Sequence, residues 1–204
     1  MHFEPNEVYH VYNRGNRKQQ IFFQKRNYLY FLKKIKNEWP RYCEILSYCL
    51  MPNHFHFMLV PNENACETIV LAEKASHLQY MSKQIGMTLS SYTKAINIQN
   101  STSGNLFQKK TKAKILWTDP VINEPLNKID FIITCFFYIH QNPLKAGLVN
   151  SLENWDHSSW QDYAGLRNGN LCNQEMLYRL AGLSKIDCLN QIKNLNENII
   201  TDIF

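Results

Sequence analysis

The chain contains the run Leu50-Met51-Pro52-Asn53-His54-Phe55-His56-Phe57-Met58-Leu59-Val60, in which β-favouring residues surround two histidines. Successive side chains of a strand point to opposite faces, so His54 and His56 are expected on one face, with Phe55 and Phe57 on the other. Neutral imidazoles are common ligands of divalent metals, and this spacing pairs two of them. Two histidines in an apolar strand also occur as ordinary core residues, so the interpretation depends on the rest of the chain.

The flanking sequence predicts four strands and three helical segments. Alternating β-branched and aromatic residues predict strands over residues 8–12, 42–50, 54–60 and part of 106–117. Apolar residues at helical spacing predict helices over residues 25–39, 67–98 (one long helix or two) and 126–141. Asn142-Pro143 is expected to end the last helix, because proline disfavours helical geometry in the residue before it.

This order of elements predicts an α+β fold. Strand, helix, strand, strand, helix, strand, helix is the split β-α-β pattern with one helix added. We therefore expect a ferredoxin-like antiparallel sheet with helices packed on one face. A chain of 204 residues suits one domain with an appendage. We place the domain at residues 1–169 and a small helical C-terminal extension at residues 170–204.

The charge of the chain is moderately basic, with a net charge of +5 and a sequence pI near 8.8. This excess fits a polyanionic partner without requiring one. Basic residues cluster after the first strand and near the fourth. The residues expected to contact phosphates are Arg14, Arg17, Lys18, Lys110 and Lys112.

The sequence also carries expectations about the compartment. The six cysteines form no Cys-x-x-Cys pair, which indicates reduced thiols rather than disulfides or a zinc site. The N-terminus lacks the basic and apolar segments of an export signal. No stretch approaches the roughly 18 apolar residues of a membrane span. We therefore expect a cytoplasmic protein that does not associate with membranes.

A polar stripe follows the last predicted helix. Its members lie four residues apart: Asp130, Thr134, Tyr138 and Asn142. A core tyrosine would be expected on the phenylalanine-rich face, yet Tyr138 belongs to the stripe. Because Asn142 lies one turn further along, this helix can present a phenol and an amide oxygen to the same metal ion.

The histidine pair and the stripe together contain the groups needed to attack a phosphodiester. A divalent cation held by His54, His56 and Asn142 would polarise a phosphate. Tyr138 would then attack it, giving a phosphotyrosine link and a free 3′-hydroxyl that can reverse the step. His10, on the first strand, is a candidate neighbour of this site, although a structural role is equally consistent with its position.

Several motifs in this order resemble those of the HUH nucleases, in particular the single-tyrosine transposases of the insertion-sequence-200 type. The similarity is stronger to the transposases associated with repetitive extragenic palindromes (REP). It spans residues 8–163. The matching motifs are Tyr9-His10-Val11, Asn13-Arg14-Gly15-Asn16-Arg17, Met51-Pro52-Asn53-His54-Phe55-His56, Leu106-Phe107-Gln108 and Tyr138-Ile139-His140-Gln141-Asn142-Pro143-Leu144-Lys145-Ala146-Gly147-Leu148-Val149.

The resemblance implies a DNA transposase with a ferredoxin-like fold. Such an enzyme cleaves and rejoins single-stranded DNA at hairpin ends through a 5′-phosphotyrosine intermediate, with Mg²⁺ or Mn²⁺ as cofactor. By motif position, Tyr138 is the implied nucleophile, and His54, His56 and Asn142 are the implied metal ligands. A homodimer is the expected assembly, with a monomer as the alternative.

A second interpretation is a non-catalytic or domesticated protein that binds single-stranded nucleic acid. Sheets of this topology also bind single strands through aromatic and basic residues. The aromatic residues that would then serve as stacking platforms are Tyr9, Tyr12, Phe55 and Phe57.

Overall fold

The computed structural model describes residues 1–71, 74–116 and 128–187, with the backbone alone described at residues 70, 71, 74–76 and 128–130. In chain order the elements are β1 (Tyr9–Arg14), α1 (Lys25–Glu38), β2 (Cys43–Met51), β3 (His54–Pro61), α2 (Glu63–Cys66), β4 (Thr68–Leu71), β5 (Lys74–Gln79), α3 (Tyr80–Asn100), β6 (Lys112–Ile115), α4 (Lys128–Lys145), α5 (Trp160–Tyr163) and α6 (Gln174–Leu180). Short 3₁₀ turns lie at Asn16–Lys18 and Leu152–Asn154.

The main sheet has the strand order β2-β3-β1-β6, and all of its neighbouring strands are antiparallel. This is the order of a ferredoxin-like α+β fold, so the predicted fold class is confirmed. β1 is central because it pairs with β3 on one side and with β6 on the other. Residues carried by β1 and β3 therefore lie side by side in the middle of the sheet.

The alternation predicted for β3 is present. Phe55 and Phe57 are fully buried in the core between the sheet, α1 and α3. Met58 and Val60 point to the opposite face and belong to a second core with α4. His56 shares the face of Met58 and Val60, since it lies an even number of residues from both.

Helices cover both faces of the sheet. α1 and α3 pack on one face, as the sequence predicted, and bury Phe31, Ile35 and Tyr92 there. α4 packs on the opposite face, where Ile132 and Ile139 are fully buried. The predicted one-sided arrangement is therefore corrected: it holds for the first two long helices but not for the third. No helix within the described ranges has the length and apolar character needed to cross a bilayer.

Residues 68–71 and 74–79 do not form the helix that their apolar spacing predicted. They form the antiparallel strands β4 and β5, and α3 begins only at Tyr80. The Gln79 side chain explains the boundary. It accepts from the Phe3 backbone N–H (2.7 Å) and donates to the carbonyl oxygens of Phe3 (2.8 Å) and Cys66 (2.9 Å). These bonds hold Gln79 in an extended conformation at the N-cap of α3.

α4 continues through Pro143 to Lys145, so the predicted helix end at Asn142 is wrong. A proline at 143 provides no N–H for the carbonyl of Ile139. The Asn142 side-chain amide donates to that oxygen (3.3 Å) and to the carbonyl oxygen of Tyr138 (2.8 Å). The helix then ends in a Schellman motif, with Gly147 at φ +66° and the N–H of Leu148 donating to the carbonyl of Pro143.

The outer edge of β2 is covered by residues 157–159. The N–H of Leu50 donates to the carbonyl of His157 (2.9 Å), and the N–H of Ser159 donates to the carbonyl of Tyr48 (3.0 Å). The chain then leads to α6, whose Leu177 packs in the second core. α6 lies within the predicted helical extension, of which residues 188–204 fall outside the described part. The domain boundary near residue 169 stays a prediction.

Candidate active site

A cavity of about 300 Å³ opens beside α4, where β1 and β3 run together. Its lining residues are Tyr12, Asn13, Arg14, His54, His56, Gln108, Lys110, Lys112 and Tyr138. The structure thus brings the predicted histidine pair, tyrosine and three of the predicted basic residues into one space. Asn142 lies close enough to the His54 ring to raise its pKa, and His10 lies against His56. Arg17 and Lys18 are exposed on the 3₁₀ turn after β1 and do not line this cavity.

The two histidine rings are close and nearly perpendicular, with 5.0 Å between their centroids and 85° between their planes. His54 is half-buried, whereas His56 is only 5% exposed. The His54 Nδ1 atom lies 2.6 Å from the Asn53 Oδ1 atom. Asn53 donates its Nδ2 to the carbonyl of Lys18 (3.2 Å), which fixes Oδ1 as the atom facing His54. An amide oxygen only accepts, so the His54 proton lies on Nδ1.

Asn142 reaches the same ring from α4. Its Nδ2 is engaged by the helix carbonyls of Tyr138 and Ile139, so its Oδ1 is the atom left to face His54. With the His54 proton on Nδ1, the other ring nitrogen carries a lone pair, and Asn142 offers an oxygen. Two electron-pair donors in one place suit a bound cation.

Tyr138 enters the cavity from one turn earlier on α4. Its ring lies edge-on to His56, with centroids 5.7 Å apart and planes at 89°, and edge-on to His10 at 5.8 Å. The Lys145 Nζ atom lies 5.5 Å from the centre of the same ring, a cation–π arrangement. Tyr138 is partly exposed, in contrast to the buried Phe136 and Phe137 beside it. The predicted polar stripe is thus present at Tyr138 and Asn142, while the side chain of Asp130 falls outside the described part.

Burial keeps the histidines of this site uncharged. It is the main cause that lowers the pKa of His54 to about 4, and the positive charge of Arg14 adds to it. The pKa of His56 falls well below the usual value, first through burial and then through His10, His54 and Arg14. Burial also lowers the pKa of His10 to about 3. A neutral imidazole retains the lone pair that a metal requires.

Three residues of β1 share the face of the histidine pair. Arg14 is opposite His54 in the register of β1 and β3, and Tyr12 is opposite His56. The Tyr12 ring stacks on His10 at 4.7 Å, and the Lys112 Nζ atom lies 5.8 Å from the centre of the Tyr12 ring. The even spacing of positions 10, 12 and 14 was the sequence signal for this shared face. It became usable only once the pairing of β1 with β3 was known.

Asn13 and Gln108 line the cavity and were not predicted as site residues. The Asn13 side chain donates to the carbonyl of Gln108 (3.1 Å) and to the Thr111 hydroxyl (2.8 Å), and it accepts from the Arg14 N–H (2.6 Å). Asn13 therefore holds the segment that carries Lys110 against β1. Both residues belong to motifs that carry the family resemblance, Asn13-Arg14-Gly15-Asn16-Arg17 and Leu106-Phe107-Gln108. Their contact joins positions nearly one hundred residues apart, so only the fold reveals it.

The stacking platforms proposed for the alternative function are mostly inaccessible. Phe55 and Phe57 have no exposed surface, and Tyr9 is 4% exposed. Tyr12 lines the cavity and is partly exposed. Of the four aromatic residues named for nucleic-acid stacking, Tyr12 alone is placed to contact a base.

The donor set fits a divalent cation. The Nε2 atom of His56 is buried without a hydrogen-bond partner among the described residues, and a buried polar atom in this state is costly unless something binds it. His54 and Asn142 add a second imidazole and an amide oxygen. The described residues contain no cluster of three or more His, Cys, Asp or Glu side chains that could hold a metal. Water or substrate oxygens would therefore complete the coordination.

No protein-family model and no curated protein matches the sequence. By fold, the chain is similar to a solved structure of a REP-associated tyrosine transposase bound to a REP hairpin, with a TM-score of 0.58 and 18% sequence identity. The alignment covers 85% of this chain and 92% of that chain. At this identity the similarity shows a common fold.

Proposed function

We propose that this chain is a DNA transposase of the single-tyrosine HUH type, which cleaves and rejoins single-stranded DNA through a 5′-phosphotyrosine intermediate. One observation carries the proposal: Tyr138, His54 and His56 of the same chain line one cavity, with the Tyr138 ring edge-on to His56. A phenol beside two neutral imidazoles, with basic residues around them, supports phosphodiester cleavage more than a structural role.

The chain's own residues would act in the following way. The Tyr138 oxygen attacks the phosphorus, a P–O bond forms, and the bond to the leaving 3′-oxygen breaks. That oxygen takes up a proton from solvent and becomes the free 3′-hydroxyl. The phenol loses its proton to solvent, and a phenol with its ordinary pKa near 10 needs help to do so. Lys145 places a positive charge over the Tyr138 ring. A bound Mg²⁺ or Mn²⁺ would supply Lewis-acid polarisation of the phosphate, held by His54, His56 and Asn142.

The substrate is proposed to be single-stranded DNA next to a hairpin. Arg14, Lys110 and Lys112 line the cavity and would neutralise phosphates on either side of the cleaved bond. Arg17 and Lys18 lie on an exposed turn after β1 and would extend this contact outward. The hairpin preference rests on the resemblance of the sequence motifs and on the fold similarity to the hairpin-bound transposase. The homodimer rests on the resemblance of the motifs alone.

The direct test is a covalent adduct. A labelled hairpin oligonucleotide with a single-stranded flank is incubated with the full chain and Mn²⁺, and SDS-resistant species are resolved on a gel. We expect an adduct with the wild type, its loss in Tyr138→Phe, and its loss on addition of EDTA. Tyr178→Phe is the matched control, because its hydroxyl bonds Gln174 on α6, away from the cavity. An adduct that persists in Tyr138→Phe contradicts the assignment of the nucleophile.

The alternative function, nucleic-acid binding without cleavage, draws support from Tyr12, which is partly exposed beside Lys112. The same experiment separates the two. Binding of the oligonucleotide without an adduct in the wild type, with Mg²⁺ or Mn²⁺ present, favours the alternative.

A further inference from the structure

His10 and His56 form a direct hydrogen bond within the sheet. The His10 Nε2 atom lies 2.8 Å from the His56 Nδ1 atom. Their rings are nearly parallel, with 17° between planes, and the two residues are 1% and 5% exposed. Between two neutral imidazoles, such a bond requires one ring to donate and the other to accept. The proton of one ring therefore fixes the tautomer of the other.

The two possible arrangements differ in what His56 offers to the cavity. If His10 Nε2 accepts, the His56 proton lies on Nδ1, and His56 Nε2 carries a bare lone pair. If His10 Nε2 donates instead, the His56 proton moves to Nε2 and blocks that nitrogen. His56 Nε2 is buried and has no hydrogen-bond partner in the described part of the chain. In the first arrangement the His10 proton lies on Nδ1, which is buried as well, so burial does not choose between the two. A cation at His56 Nε2 does, because only the first arrangement leaves a lone pair on that nitrogen.

His54 shows the same arrangement with a different partner. The Asn53 oxygen, 2.6 Å from His54 Nδ1, accepts the proton of that ring and leaves the other nitrogen free to bind a ligand. Histidines that bind metals commonly donate their second N–H to such an acceptor, which sets the ring orientation. The His10 Nε2 atom lies beside His56 Nδ1 in the same way that the Asn53 oxygen lies beside His54 Nδ1.

We propose that His10 is a positioning residue that accepts the Nδ1 proton of His56 and thereby directs the His56 Nε2 lone pair at the cation site. This inference rests on the metal site of the proposed function. His10 does not touch the substrate or the cation. The Tyr12 ring stacks on the His10 ring, with centroids 4.7 Å apart, and holds it in place.

Two variants separate the hydrogen bond from packing. His10→Phe keeps a ring of similar size in the stack but removes the acceptor. His10→Gln restores an acceptor oxygen. The matched control is His157→Phe, because His157 stacks on Tyr28 at 3.7 Å and lies outside the cavity lining. Thermal unfolding of each variant shows whether it is folded.

The first measurement is Mn²⁺ affinity without DNA, from the EPR signal of the free ion. Loss of a partner that orients a metal-binding histidine typically weakens binding by roughly 10–100-fold, and we expect a change of this size for His10→Phe. We expect a smaller loss for His10→Gln and none for His157→Phe. Unchanged Mn²⁺ affinity in a folded His10→Phe would overturn the proposal.

The second measurement is the tautomer of His56 in the wild type with Mg²⁺ bound, read from long-range ¹H–¹⁵N NMR spectra of the ring. We expect the proton on Nδ1, whereas a proton on Nε2 would overturn the proposal. This result does not depend on whether His10→Phe folds. Failure of the inference and failure of the proposed function remain distinguishable, because the adduct assay with Tyr138→Phe tests cleavage while the tautomer tests the His10–His56 bond.

Discussion

The ring of Tyr138 stands edge-on to the ring of His56 within one chain, with 5.7 Å between their centroids. No second subunit is needed to bring the phenol to the histidine pair. We therefore predict that cleavage uses the tyrosine and the histidines of the same chain. Mixing Tyr138→Phe with His56→Ala should restore no covalent adduct. If a mixture of these two inactive variants does form the adduct, the tyrosine is exchanged between subunits.

Asn142 has two separable roles, as an oxygen facing His54 and as an amide donor to the helix carbonyls. Asn142→Ala removes both, and Asn142→Asp keeps an oxygen but removes the donor. Each variant should lower the free energy of unfolding by about 1 kcal/mol, the usual worth of such a bond. Mn²⁺ affinity should fall in Asn142→Ala and be retained in Asn142→Asp. Equal Mn²⁺ affinity in the wild type and Asn142→Ala would exclude Asn142 from the metal site.

The exposed lysines of the cavity should control the salt dependence of DNA binding. Lys110→Gln and Lys112→Gln each remove one phosphate contact, so each should reduce the slope of log affinity against log salt concentration by about 1. Lys36→Gln is the control, because Lys36 lies on α1, on the other face of the sheet, and bonds Asn170. Fluorescence anisotropy with a labelled hairpin oligonucleotide at several salt concentrations measures the slopes. A slope that stays the same in both cavity variants would show that the phosphates bind elsewhere.

Gly15 joins β1 to the basic turn at a point where no side chain fits. A Cβ atom there would lie 2.1 Å from the carbonyl oxygen of Gln19, a backbone atom that cannot rotate away. We expect Gly15→Ala to lower the free energy of unfolding by about 2 kcal/mol, in the range for overpacked positions. Gly86→Ala is the matched control inside α3, where a Cβ meets nothing within 4 Å. It should raise the stability by about 0.5–1 kcal/mol, because alanine favours the helix. Urea unfolding measures both, and equal stability of Gly15→Ala and the wild type would refute the clash.

The stability of the fold should decrease as the solution becomes acidic. Burial lowers the pKa of His140 from 6.5 to about 3. Between these values the unfolded chain binds a proton at this ring that the folded chain does not, so lowering the pH favours unfolding. The loss for one such group approaches about 1.4 kcal/mol per pH unit.

Urea unfolding at pH values from 8 to 4, with EDTA present, measures this slope. His140→Gln should show a shallower slope than the wild type, because it removes one of the buried rings. His140 bonds the Phe136 carbonyl and the Ser159 hydroxyl, outside the cavity. A free energy of unfolding that does not change between pH 6.5 and 4 in the wild type would contradict the neutral, buried state of His140.

The sequence predicted those features that depend on neighbouring residues. The alternation around His54 and His56 and the stripe through Tyr138 follow from the geometry of a single strand or helix, and the structure shows both. The start of α3 could not be predicted in this way, because Gln79 is held extended by Phe3, which is 76 residues away. The passage of α4 through Pro143 depends on the Asn142 side chain, which no propensity scale includes.

The pairing between strands was the other missing information. β1 and β3 place His10 beside His56, yet neither strand alone indicates this contact. The sheet face that α4 covers is likewise a property of the topology, since an amphipathic helix shows that it has an apolar side without showing which surface receives it.

The covered edge of β2 affects how copies of this protein can associate. Unpaired backbone groups at the edge of a sheet invite strands from other molecules and promote fibre growth. Here the bonds of Leu50 and Tyr48 to residues 157–159 already occupy that side. The strand at the far side, β6, carries Lys112 and Lys114 two positions apart, and their charges repel an incoming strand. At both margins of the main sheet, these features oppose the addition of a strand from another molecule, which limits templated aggregation through this sheet.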